Sequence, residues 1–150
     1  MNLFIDPSTV THGIQLAVAP VFLLTAVSGM IGSVAGRLAR IIDRARVLEE
    51  RLTGGACDAE FVTQAQVELD RLRKRGHLAN GAIGLLTLCS FLIGLTIIVL
   101  FLGETTAVQI DRLAIMSFLA GVVCFMLALG CFMAETLLAT RILNFGKSRD

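Results

Sequence analysis

Charge is missing from three long stretches of this chain. Residues 7–36 carry no charged side chain apart from the titratable His12, and residues 78–103 and 113–134 carry none. Charged residues make up 17% of the chain and hydrophobic ones 55%, against roughly a quarter charged in an average soluble domain. That composition argues against an ordinary soluble fold. Each stretch is long enough to cross a hydrocarbon core of about 30 Å, which takes roughly 20 helical residues. Backbone amides in lipid must pair internally, so the spans are predicted as helices and not open strands.

Other absences narrow the chemistry. The four cysteines, Cys57, Cys89, Cys124 and Cys131, form no Cys-x-x-Cys pair, so neither a disulfide framework nor a zinc site is indicated. There is no His-Glu-x-x-His, no Gly-x-Ser-x-Gly and no phosphate-cradling glycine loop. The two histidines, His12 and His77, fall on opposite sides of the predicted membrane and cannot share a site. No enzyme activity, metal or cofactor is expected. The basic run Arg71-Leu72-Arg73-Lys74-Arg75 has no aromatic neighbour to stack on bases, so no nucleic-acid partner is expected. Attraction to anionic lipid headgroups on the cytoplasmic face, about 1 kcal/mol per basic residue, explains it better. The first apolar stretch is expected to be kept and not cleaved as a signal. No basic segment precedes it, and Ala17-Val18-Ala19 is followed by Pro20.

The expected fold is all-α: one membrane domain over residues 1–150, with spans at about 14–36, 80–103 and 113–137. Nine of the 13 Lys and Arg lie between the first two spans. The bias predicts an outer N-terminus and a cytoplasmic C-terminus. Asp6-Pro7 reads as a helix start, Pro20 as a kink, Gly54-Gly55 as a stop and Asp58 as a new N-cap.

Apolar residues continue in helical steps beyond the first span. Leu38, Ile41, Ala45, Leu48 and Leu52 form a seam, matched by Val62, Ala65, Leu69, Leu72, Gly76, Ala79, Ile83 and Leu86. Residues 37–79 are therefore expected to form an antiparallel helical hairpin in the cytoplasm. The first helix gains roughly 24 Å past Arg37 at 1.5 Å per residue.

Inside the spans, lines of small residues let backbones approach closely. Span one offers Thr25, Gly29, Gly32 and Gly36, and span two offers Asn80, Gly84, Thr87, Phe91 and Gly94. Span three offers Ala114, Ser117, Gly121, Cys124, Ala128 and Cys131, ending at Glu135 and flanked by Phe118, Phe125 and Phe132. The glycines, with Cys124 and Ala128, are the expected packing residues. Their number points to a homo-oligomer in the bilayer.

Glu135 is the one acidic residue within a span, and such a residue is a functional candidate by default. Arg37, Arg40, Asn80 and Arg141 fall near the same height. The cluster reads either as a structural lock, with Glu135 on Arg37 or Arg40, or as an ion-binding ring shared by subunits. Thr11, His12 and Gln15 sit at the outer mouth and could line a vestibule or merely solvate an interface.

Three segments together look familiar: Gln15–Leu24, the charged stretch Arg37–Arg46, and Glu135–Arg141. With the Arg/Lys run before Asn80, they resemble an uncharacterised bacterial family of small three-span membrane proteins known as a domain of unknown function. The resemblance covers roughly residues 12–143. It implies a bacterial inner-membrane location and contributes no activity, substrate or site. Two roles stay open: a homo-oligomeric channel gated at the Arg37/Arg40/Glu135 level, or a non-conducting scaffold or regulatory subunit whose hairpin binds a partner.

Overall fold

The computed structural model describes residues 7–54, 59–106 and 111–145. They form three helices: α1, Pro7–Thr53; α2, Ala59–Thr106; and α3, Asp111–Phe145. All three contain a stretch long and apolar enough to cross a membrane. At 1.5 Å per residue, the 47 residues of α1 extend about 70 Å. That is more than twice a hydrocarbon core of about 30 Å, so α1 continues well past its uncharged part, as does the 48-residue α2.

The helix ends follow local chemistry. Pro7 occupies the first position of α1, where its missing N–H has no intrahelical partner to lose. The helix runs on through Gly13 and Pro20. It stops at Thr53, whose hydroxyl donates to the carbonyls of Glu49 and Glu50 at 3.0 Å. Gly54 then closes the last turn by donating its N–H to the Glu50 carbonyl at 3.2 Å. Asp6, Gly55 and Asp58, read above as helix starts or stops, lie outside the described residues, as does Cys57.

The chain divides into two compact units. The first comprises residues 1–31 and 85–126. Its buried side chains include Ala17 and Val27 of α1, Leu86, Cys89, Ile93 and Val99 of α2, and Ala114 of α3. Here α2 and α3 run antiparallel. A Cβ on Gly121 would touch Ile93 at 3.4 Å, Leu92 at 3.6 Å and the Cys89 carbonyl at 3.7 Å, while Thr96 meets Ser117. This close approach is what the missing side chain of Gly121 permits.

The second unit comprises residues 32–84 and 127–150. Val34 and Ile41 of α1, Ala65, Leu69, Leu72, Ala79 and Ala82 of α2, and Ala128 of α3 are buried. Contacts step from Leu38 and Ile41 beside Gly76 to Arg44 beside Glu68. Later positions in α1 meet earlier ones in α2, so this part is an antiparallel hairpin.

The small-residue lines divide unequally. On α3 the line is turned inward: Ala114, Ser117, Gly121, Ala128 and Glu135 are buried, and Cys124 and Cys131 are partly so. On α1 it is turned outward. Thr25, Gly29, Gly32 and Gly36 are exposed, and a Cβ on any of these glycines would meet nothing within 4 Å. Asn80, Gly84, Thr87 and Phe91 of α2 are exposed too, and Gly84 and Gly94 likewise face open space. The expected close-packing role of Gly29, Gly32, Gly36, Gly84 and Gly94 is therefore not met among the described residues of the chain. The physical reason is register. The inward side of α1 is Ala17, Pro20, Leu24, Val27, Ile31, Val34, Leu38 and Ile41, all buried or half-buried. This is the hairpin seam continued backwards in steps of three and four, and it leaves the glycines on the opposite side.

Candidate functional site: a carboxylate shared by two arginines

The inward line of α3 is built of small residues until its last member. Steps of three and four from Ala128 through Cys131 place Glu135 on the same inward face, and it is 1% exposed. A buried carboxylate costs several kcal/mol in lost hydration unless it is paired and hydrogen-bonded. Two arginines flank the seams of the other helices, Arg37 beside Leu38 and Arg75 beside Gly76, and both reach inward.

Arg37 Nη2 lies 2.7 Å from Glu135 Oε2. On the other oxygen, Oε1, Arg75 donates from Nη2 at 2.8 Å and from Nε at 3.1 Å. Arg37 Nη1 also donates to Thr136 Oγ1 at 3.2 Å, and that hydroxyl donates to the Phe132 carbonyl at 2.9 Å. The Arg37 guanidinium sits 5.0 Å from the Phe132 ring centroid, within reach of a cation–π contact. Arg37 and Arg75 side chains are 26% and 21% exposed. Among the described residues no buried side-chain nitrogen or oxygen is left without a partner. One negative and two positive charges, one from each helix, thus hold α1, α2 and α3 together within the second unit.

Residues 17–145 match the family described as "Protein of unknown function (DUF2721)". The chain belongs to that family. No curated protein and no solved structure matches it. The match covers α1 from residue 17 onward and all of α2 and α3, and it includes Arg37, Arg75 and Glu135. With three apolar helices, the chain fits a small three-span membrane protein.

The structure brings together only part of the cluster expected from the sequence. Glu135 meets Arg37, one of its two anticipated partners. Arg40 is exposed and donates from Nε to the Gly36 carbonyl at 3.3 Å. Asn80 is exposed on α2. Arg141 falls in the last turns of α3, with its side chain outside the described residues, as is that of His12. Thr11 and Gln15 are exposed. Phe118, Phe125 and Phe132 are half-buried.

Arg75, Thr136 and Phe132 were not expected at the site. Arg75 was hidden in a run that reads as one basic patch, yet the structure divides that run. Arg73 faces Glu49 at 3.5 Å, Lys74 faces Asp70 at 2.8 Å, and Arg75 turns inward to Glu135. A signal was available: Arg75 directly precedes Gly76 on the hairpin seam. Among the described residues, no group of three or more His, Cys, Asp or Glu is placed to hold a metal ion.

Proposed function

We propose that the chain is a non-conducting, self-associating membrane scaffold of the bacterial inner membrane, with the α1–α2 hairpin as a cytoplasmic arm that engages a partner. The observation that carries this reading is the state of Glu135. The acid group that would serve a gate or an ion pathway is already held by Arg37 and Arg75, with both carboxylate oxygens occupied. A permeation group has to release its ligands as ions pass. A carboxylate shared by two guanidiniums is strongly held, and breaking it leaves a buried charge unpaired.

The open glycine line Gly29, Gly32 and Gly36 supports self-association, because close backbone approach is what drives helix pairing in lipid. The excess of arginine on the hairpin supports its cytoplasmic placement, with the N-terminus outside and the C-terminus inside.

Reconstituted wild-type protein and Glu135→Gln, examined for oligomer size by cross-linking and for ion flux in liposomes, test the proposal. Wild type should assemble without conducting, and Glu135→Gln should lower the stability of the particle without opening a flux. Wild-type conductance whose selectivity changes in an intact Glu135→Gln assembly would establish a pore instead. For orientation, Cys57 should label only after lysis and Thr105→Cys in intact cells. The reverse pattern overturns the topology.

A further inference from the structure

Beside the Glu135 lock, on the hairpin, lies an open groove of about 420 Å³ lined by Arg37, Arg40, Ile41, Arg44, Leu72 and Arg75. Arg37, Arg40 and Arg44 recur at steps of three and four, so α1 lines them up on one face, and α2 supplies Arg75. The volume falls in the range of roughly 300–1,000 Å³ typical of small-molecule sites.

The charges around this groove do not balance. Arg37 and Arg75 share the single carboxylate of Glu135. Arg44 is paired with Glu68, with Nη2 at 2.7 Å and Nε at 2.8 Å from Oε1. Arg40 reaches no carboxylate among the described residues and donates only to a backbone carbonyl. Four guanidiniums therefore face two carboxylates. Ile41 and Leu72, both buried, form an apolar floor that weakens local screening. Arg37 is the first charge after the uncharged run of α1, so the groove opens where the apolar helix ends.

We propose that this groove is a binding site for one phosphate group, carried by a lipid headgroup or by a soluble phosphate compound. The planar guanidinium fork matches phosphate oxygens in paired hydrogen bonds. A phosphate, with one to two negative charges and several acceptor oxygens, neutralises the surplus and engages several arginines at once. A lone carboxylate has only two oxygens and one charge for the four. The inference is independent of whether the protein self-associates or conducts.

The test titrates full-length protein in neutral detergent micelles with short-chain phosphatidic acid, and separately with inorganic phosphate. Wild type should bind at least one of the two probes saturably, one per chain. Arg40→Gln with Arg44→Gln should weaken that binding about tenfold or more, the scale of a lost hydrogen bond to a charged group. Arg46→Gln with Arg73→Gln removes the same charge from hairpin positions outside the groove, and should change it far less. Arg40→Gln alone disturbs no ion pair, and should reproduce part of the loss in a protein of unchanged helical content. Phosphatidic acid binding that millimolar phosphate does not displace identifies a headgroup site; binding or displacement by phosphate identifies a soluble ligand. Equal weakening in both double variants, or no saturable binding of either probe by wild type, overturns the site.

Discussion

The two compact units meet the same difficulty, a polar side chain on an inward helix face, in different ways. In the unit of residues 1–31 and 85–126, the polar pair is neutral. The hydroxyls of Thr96 and Ser117 lie 2.8 Å apart, and each also reaches a carbonyl of its own helix, Leu92 at 2.8 Å and Ala114 at 3.0 Å. In the unit of residues 32–84 and 127–150, the polar residue is charged, and among the described residues its own helix supplies no partner to Glu135. The difference teaches a rule of reach. A hydroxyl is largely satisfied within its own helical turn, so its cross-helix bond adds little. A carboxylate accepts but does not donate, and helical backbone N–H groups are already used. It must be satisfied from other helices, and so it ties them together.

That contrast sets an order of expected effects. The largest belongs to the charged lock. Arg75→Ala or Glu135→Gln should destabilise the folded chain by about 3–5 kcal/mol, the usual consequence of breaking a buried ion pair from one side. Arg40→Gln should be nearly silent in the same measurement. Equilibrium unfolding in mixed micelles reads the difference, and a loss below about 1 kcal/mol for Glu135→Gln would mean that the lock is not structural.

Next comes steric packing. Gly121→Leu forces a side chain towards Ile93, Leu92 and the Cys89 carbonyl, and overpacking of this kind costs about 1–3 kcal/mol. Gly32→Leu meets open space and should leave the folding of the single chain unchanged. A change in particle size with unchanged unfolding would place Gly32 at a contact between copies. Equal destabilisation by both substitutions would mean that the inward and outward faces of α1 have been interchanged.

The neutral pair should give a smaller effect. Thr96→Val and Ser117→Ala, taken as a double-mutant cycle, should show a coupling of about 0.6 kcal/mol, the average for hydrogen bonds between helices in lipid. A coupling as large as that of the Glu135 pairs would erase the distinction between the units.

The smallest effect concerns the exposed hairpin. Asp70 is held below the usual carboxylate value chiefly by its hydrogen bond and charge interaction with Lys74, and to a lesser degree by Arg73. Its contribution is present above the ordinary carboxylate value and fades as pH falls through the lowered one. Lys74→Gln should return the Asp70 titration towards the ordinary range by NMR, with no change in assembly. An unmoved titration would remove Lys74 as the cause.

Much of this architecture is legible in residues alone, because contrast makes periodicity visible. Three uncharged stretches stand out against a charged background, and the seam Leu38, Ile41, Ala45, Leu48, Leu52 stands out against the arginines around it. Within an all-apolar span, that contrast disappears. Val27 and Val34 mark the inward face of α1, but nothing in the span separates them from their apolar neighbours. The glycines differ from their surroundings and draw the eye, yet a small residue only permits close approach; it does not require it. The α3 line was readable because it ends in Glu135, whose charge demands partners. Arg75 was obscured for the opposite reason, because it stands among residues of its own kind.

The sharing of one carboxylate by two arginines also has a consequence in time. Synthesis proceeds from the N-terminus, so Arg37 and Arg75 exist before Glu135 does. Until α3 is made, the hairpin brings two like charges towards one place with nothing between them, and they repel. The final helix supplies the missing anion. A chain truncated before residue 135 is thus more than one helix short: its first two helices oppose their own closure at that level, which marks an unfinished copy as different from a finished one.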